Sequence, residues 1–163
     1  LHASSLVLRY GSTTALAGVN LVIREGESVA IMGASGSGKT SLLHCLSGIL
    51  RPDGGSVRFS GPNGPVDLST LSDGERSRLR REAFGFAFQQ GLLVPELTAV
   101  ENAALPLLLS GYARRDAEAR AAAWLAALGL GGLEARRIGE LSGGQAQRGA
   151  IARAQAGVRA ALL

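Results

Sequence analysis

The stretch "SVAIMGASGSGKTSLLHCL", residues 28–46, decides how the rest of the chain is read. It opens on a short apolar run, "SVAIM", of the kind that forms a strand buried on both faces. A glycine-rich loop follows, and then "TSLLHCLSGIL", whose apolar residues recur at helical spacing. The loop "GASGSGKT", 33–40, satisfies G-x-x-x-x-G-K-[ST]. Gly33, Gly36 and Gly38 let backbone N–H groups turn inward and form a nest for anionic oxygens. The helix after Gly38 aims its positive N-terminus at the same place. Lys39 adds a flexible point charge for β- and γ-phosphates, and the Thr40 hydroxyl can hold Mg²⁺. A chance match in a chain of this length is expected on the order of once in a few hundred. Strand before and helix after are the context the pattern requires, so nucleoside-triphosphate binding is the expectation.

Lys39 is the only lysine among 17 basic residues; every other one is arginine. A guanidinium fork is planar and bulky, whereas an ammonium group is compact enough to sit inside the loop. Elsewhere the chain has no such constraint. Its 163 residues suffice for one domain with a real core. The net charge of +4 and pI near 10.2 come from arginines spread along the chain. No basic cluster is interleaved with aromatics, which argues against nucleic acid as a partner. The one dense run, "ERSRLRRE" at 75–82, reads as a solvated helix face. A single cysteine, Cys45, excludes an intrachain disulfide and reads as a small core residue. No apolar stretch is long enough to span a membrane. The opening "LHASS" carries neither Met nor a signal-peptide pattern, and the chain reads as a piece of something longer.

Along the chain, "SSLVLRY", "VNLVIRE", "SVRFS" and "FGFAF" read as strands, with Val19, Leu21 and Ile23 alternating with Asn20, Val22 and Arg24. "EGE" and "RPDGG" are turns, and "GPNGPV", 61–66, is a loop by composition. A basic helix is expected over 73–82. Residues 91–135 are rich in Leu and Ala without strand alternation, and read as a helical insertion. Thr98 and Glu101 form a capping-box pair ahead of "NAALPLLL", in which Pro106 should kink or end the helix. "RRDAEARAAAWLAALGL" is a second helix of high intrinsic propensity.

Two segments look alike: "LSDGE" at 71–75 and "LSGGQ" at 141–145. Each offers a capping box, Ser72 with Glu75 and Ser142 with Gln145. Capping alone accounts for the first. In the second, Gly143 and Gly144 fall in the first helical turn, where each costs about 1 kcal/mol against alanine. A phosphate approaching the helix N-terminus would explain both glycines and the serine.

With these motifs the chain resembles the ATP-binding-cassette (ABC) transporter ATPases. "GASGSGKT" corresponds to the family's Walker A loop, and "LSGGQ" matches its signature motif letter for letter. "FAFQQ" resembles its Q-loop, with the glutamine at Gln89, and Tyr10 matches the aromatic that stacks on adenine. The segment "DLSTLSDGERSRLRREAFGFAFQQGLLVPELTAVENAALPLLL" is similar to the branch of lipoprotein-releasing, macrolide-export and antimicrobial-peptide exporters. The resemblance implies a P-loop α/β core with an antiparallel β edge and a helical subdomain, C-terminally incomplete. The core and Walker A loop would occupy 1–88. The Q-loop and helical subdomain would occupy 89–140. The signature, its helix and the start of the Walker B strand would occupy 141–163.

ATP and Mg²⁺ are the implied cofactors. The implied nucleotide contacts are Tyr10, Gly33, Ala34, Ser35, Gly36, Ser37, Gly38, Lys39, Thr40, Ser41, Gln89, Ser142, Gly143, Gly144 and Gln145. Lys39 and Gln89 would serve catalysis, and Thr40 and Gln89 the metal. Ser142, Gly143 and Gly144 would contact ATP held by a second ATPase subunit, so that two subunits sandwich two nucleotides. An integral membrane permease is the other implied partner, which places the protein in the cytoplasm against the inner face of the cell membrane. A non-transport ABC module of the cell-division kind, or a non-functional fragment, is the alternative.

The sequence departs from the family in three ways. The run "VRAALL" begins a Walker B strand and the chain ends, before the Asp and catalytic Glu, the D-loop and the switch histidine. The only histidines are His2 and His44, and His44 reads as structural. On that basis the 163-residue chain is expected to bind ATP without turning it over, and to be marginally stable because its sheet lacks strands. Gly149 and Gln155 stand where the family has a β-branched residue and Leu, and both should loosen the signature helix.

Overall fold

The structure is a computed structural model that describes the whole chain apart from residues 62–63, 89–91, 158–160 and 163. It forms two compact units, Leu1–Arg80 and Arg81–Leu163.

The first unit is built on a four-stranded antiparallel sheet in the order β2-β1-β3-β4. Strand β1 (His2–Tyr10) turns tightly into β2 (Thr13–Val22), pairing from Tyr10↔Thr13 to His2↔Val22 with irregularities near Ala3, Leu6 and Leu8. The alternation at Val19, Leu21 and Ile23 is present, but β2 already begins at Thr13 because hairpin pairing continues to the turn. Strand β3 (Gly54–Gly61) lies on the other side of β1. Ala3, Leu6, Leu8, Leu16, Val57 and Phe59 from these strands are buried, together with Leu42, Cys45 and Leu46 of helix α1 (Lys39–Leu46). Burial, and secondarily Asp53, push the Cys45 thiol up to about 11, which leaves it a small inert hydrophobe.

Three expectations for this unit are corrected. First, 61–66 is not simply a loop: Gly64–Asp67 forms β4, antiparallel to β3 with Phe59↔Val66 and Arg58↔Asp67. As the outermost strand it tolerates Pro65, which has no N–H to give. Second, "SVAIM" forms no strand. Val29 is exposed and Met32 is 87% exposed. A strand buried on both faces exists only between neighbours, and among the described residues nothing pairs with 28–32. Third, the basic run is not wholly solvated. In helix α2 (Asp73–Ala83), Arg76 is buried beside Asp73 and its stem lies over Gly48, while Arg80 Nη1 donates to the Gly48 carbonyl at 2.5 Å. Gly48 follows the end of α1, where the helix dipole is negative and a cation is favoured.

The second unit is helical: α3 (Ala99–Leu108), α4 (Arg114–Ala127), a 3₁₀ turn (Ile138–Glu140) and α5 (Gly143–Ala156). The "FGFAF" segment gives a strand only at β5 (Phe84–Gly85), which pairs in parallel with β6 (Ala161–Leu162); the rings of Phe86 and Phe88 stack at 5.8 Å. Small residues at four-residue spacing form the core, Ala99, Ala103 and Leu107 on α3, Ala117, Ala121 and Leu125 on α4, Ala152 and Ala156 on α5. That spacing places each set on one helix face. The Thr98–Glu101 capping box forms, and the helix ends two residues after Pro106. Arg114 bridges Glu118 on its own helix and Glu101 on α3, at 2.6 and 2.8 Å.

Gly149 is buried in the middle of α5. A Cβ built there meets Leu93 Cδ1 at 3.6 Å, an ordinary contact. Gly149→Ala is therefore expected to stabilise the protein by about 1 kcal/mol, through helix propensity and reduced unfolded-state entropy. A chemical-denaturation midpoint that falls instead would refute this. Gln155 is half-buried and turns onto a groove lined by Trp124, Ala127 and Gly157.

Candidate functional site

In the first unit the phosphate loop is held by the hairpin. Gly38 is the N-cap of α1 with φ +86°, and a Cβ there would stand 2.3 Å from the Ala15 carbonyl oxygen on β2. Ser37 N–H donates to the Ala34 carbonyl at 3.2 Å and closes the loop, and Leu42 N–H donates to Gly38 at 2.8 Å to begin the helix. The first-turn amides have no partner within the helix, and no acidic residue lies in that turn. The helix end therefore keeps its positive potential.

Lys39 Nζ curls back over the loop and donates to the carbonyls of Gly33 and Ala34, at 2.8 and 2.6 Å. The ammonium thus spans the loop from its own helix. Tyr10, at the end of β1, is 53% exposed, and its hydroxyl lies 3.3 Å from Ser41 Oγ. This puts an accessible aromatic ring beside the first turn of α1, suited to stacking on a planar base. Of the expected residues, the structure brings together Tyr10, Gly33–Ser41 and the α1 N-terminus. Ala15 was not anticipated. Its contribution is a backbone carbonyl, which leaves no trace in residue type.

Among the described residues no group of three or more His, Cys, Asp or Glu converges on a point. Thr40 is exposed at the start of α1 and offers one hydroxyl oxygen. That suits Mg²⁺, which keeps few protein ligands and takes the rest from water and nucleotide phosphates. Gln89, the other expected metal and catalytic residue, lies outside the described residues.

In the second unit α5 starts at Ser142 with a complete capping box. Gln145 N–H donates to Ser142 Oγ at 3.3 Å, and Ser142 N–H donates to Gln145 Oε1 at 2.8 Å. A Cβ at Gly143 would meet nothing within 4 Å, and one at Gly144 only the Arg148 guanidinium at 3.9 Å. The look-alike at Ser72 has the same box and equally open space at Gly74. Charge separates the two. At α2 the third residue is Glu75, whose carboxylate accepts from the Ser72 N–H and hydroxyl at 2.8 and 2.6 Å. The Ser72 hydroxyl first, then its amide, hold the Glu75 carboxyl below its ordinary range. With Asp73 alongside, that helix end is already filled with negative charge. At α5 the corresponding group is the neutral Gln145, and no acid lies in the first turn. The α2 start thus carries carboxylates that oppose an anion, and the α5 start carries none.

The closed glycine loop in front of a bare helix N-terminus defines the class: a P-loop nucleoside-triphosphatase fold. The sequence profile described as "ABC transporter" matches residues 5–163, and the chain belongs to that family. It is 44% identical over 158 residues to the lipoprotein-releasing system ATP-binding protein LolD of Geobacter metallireducens, covering 94% of this chain and 68% of that protein. With LolD of Xylella fastidiosa it shares 46% over 160 residues, covering 96% of this chain and 65% of that protein. Among solved structures, the ATP-binding cassette MJ0796, a dimer in a post-hydrolysis state bound to ADP and Pi, superposes with a TM-score of 0.85 at 37% identity. That match covers 95% of this chain and 68% of the cassette. The chain thus spans about two thirds of the length of these relatives.

Proposed function

We propose that this chain is the nucleotide-binding part of an ABC exporter's ATPase subunit, which binds MgATP in its phosphate loop and works against a second copy. The observation that carries this is the α1 N-terminus, free of acidic residues and spanned by Lys39. In this reading Lys39 leaves the carbonyls of Gly33 and Ala34 for the β- and γ-phosphates, the amides of 33–41 enclose them, and Tyr10 stacks on adenine. Thr40 and Gln89 hold Mg²⁺, which when bound neutralises phosphate charge. Ser142, Gly143, Gly144 and Gln145 face the γ-phosphate of the nucleotide on the partner subunit. In the full-length protein, hydrolysis would join a water oxygen to the γ-phosphorus as its bond to the bridging oxygen breaks, releasing ADP and phosphate and passing the water's proton to solvent. The similarity to LolD proteins supports an export role, with a membrane permease as partner and the inner face of the membrane as the site of action. Among the described residues no helix is long and apolar enough to cross a membrane.

The α5 assignment is tested by bulk. Gly143→Trp in the intact protein is expected to abolish ATP-dependent dimerisation in size-exclusion chromatography, while Gly74→Trp leaves it unchanged. Equal behaviour of the two variants would remove α5 from the nucleotide site.

A further inference from the structure

Helix α5 does more than present Ser142. About three turns further along lies Arg153, half-buried, whose Nη1 donates to the carbonyl of Leu92 at 2.7 Å. Leu92 has φ +46°, a left-handed conformation that L side chains rarely adopt. Its side chain is 58% exposed, so burial of the leucine does not hold it there. Such a backbone persists where its surroundings over-determine it. Two sets of contacts do so. On one side, Arg153 grips the Leu92 carbonyl, and Leu93 lies over the glycine surface of α5 at Gly149. On the other, Asn102 of α3, 1% exposed, clamps the next residues. Its Oδ1 accepts from Val94 N–H at 2.7 Å, and its Nδ2 donates to the carbonyls of Val94, Leu97 and Thr98 at 3.0, 3.2 and 3.0 Å. Partial burial of Arg153 disfavours its charge.

We propose that Arg153 is a positioning residue that fastens the signature helix to the left-handed backbone at Leu92, so that α5 and segment 92–98 move as one body. The functional part rests on the reading above, in which the Ser142 end of α5 meets nucleotide. A shift of α5 on that contact is then carried to the chain three residues after Gln89. An arginine suits the task because its planar fork loses little freedom for each bond it makes.

Hydrogen exchange of the purified chain tests the tether. Arg153→Met is expected to speed exchange of the amides in 92–97 by about tenfold, because the Leu92 carbonyl loses its charge-assisted partner. Amides of Ala103–Leu107 and Ala117–Leu125 should be unchanged, and Arg153→Lys, which keeps a cationic donor, should recover most of the protection. Unchanged exchange at 92–97 would overturn the proposal. Uniform loss across the second unit, or no recovery in Arg153→Lys, would overturn it as well, since either reduces Arg153 to a general stabiliser. Leu92→Gly probes the same contact even if Arg153→Met does not fold. Glycine takes a left-handed backbone without strain, so this variant should melt a few degrees higher. A lower melting temperature would show that nothing holds Leu92 left-handed, and would refute the tether. An ATP titration of the same samples reads the nucleotide proposal separately. A wild type that binds no ATP removes that proposal, and the exchange result still decides the tether.

Discussion

Lys39→Ala is expected to weaken ATP binding by about two orders of magnitude while leaving the melting temperature within a few degrees of wild type. The loss is large because nothing else in the loop carries a positive charge. Gly33, Ala34, Ser35, Gly36, Ser37 and Gly38 offer only backbone amides and hydroxyls, and the helix N-terminus contributes a partial charge. The fold survives because, among the described residues, Lys39 Nζ donates to the Gly33 and Ala34 carbonyls of its own loop alone, and the loop is closed independently by the Ser37–Ala34 bond. Those two carbonyls can return to water when the ammonium is removed. Lys39→Arg should not rescue binding, since a planar fork cannot follow the same path over the loop. Isothermal titration with ATP and Mg²⁺ measures this; equal affinity in wild type and Lys39→Ala would sink the phosphate-loop assignment.

The second large effect is expected at Gly38. Gly38→Ala forces a carbon to within 2.3 Å of the Ala15 carbonyl oxygen, at a backbone φ of +86°. Side-chain rotation cannot relieve the clash, because the obstacle is the backbone of β2. Either α1 shifts or the β1–β2 hairpin opens, and the expected destabilisation exceeds about 3 kcal/mol, with nucleotide binding lost. Gly36→Ala makes the control. Its φ is +78°, but a Cβ there meets nothing within 4 Å, so only the left-handed backbone is penalised, about 1–2 kcal/mol. Urea denaturation of the two variants separates steric from conformational penalty. Equal destabilisation would mean that β2 does not press on the loop.

The sequence by itself determined the elements whose causes are local. The anion-binding residues of the phosphate loop, its glycines, Lys39 and the helix behind them, are contiguous and therefore legible in the sequence. The capping boxes at Ser72, Thr98 and Ser142 each close within four residues, and all three form. The Leu- and Ala-rich composition of 91–135, without strand alternation, likewise pointed to the helices α3 and α4.

Tertiary structure decided whatever depends on a distant partner. "SVAIM" states a preference for burial, but a strand needs neighbours, and Met32 instead faces solvent. Charge count marked α2 as a solvated helix, yet Arg76 and Arg80 turn onto the end of α1 because a helix C-terminus happens to lie there. The contrast between Ser72 and Ser142 was legible as glycine content, but the stronger cause is that Glu75 folds its carboxylate back onto its own helix start. The Ala15–Gly38 and Arg153–Leu92 contacts were invisible for a single reason. In each, one partner is a main-chain carbonyl that every residue carries, and only the folded path of the chain selects which carbonyl is met.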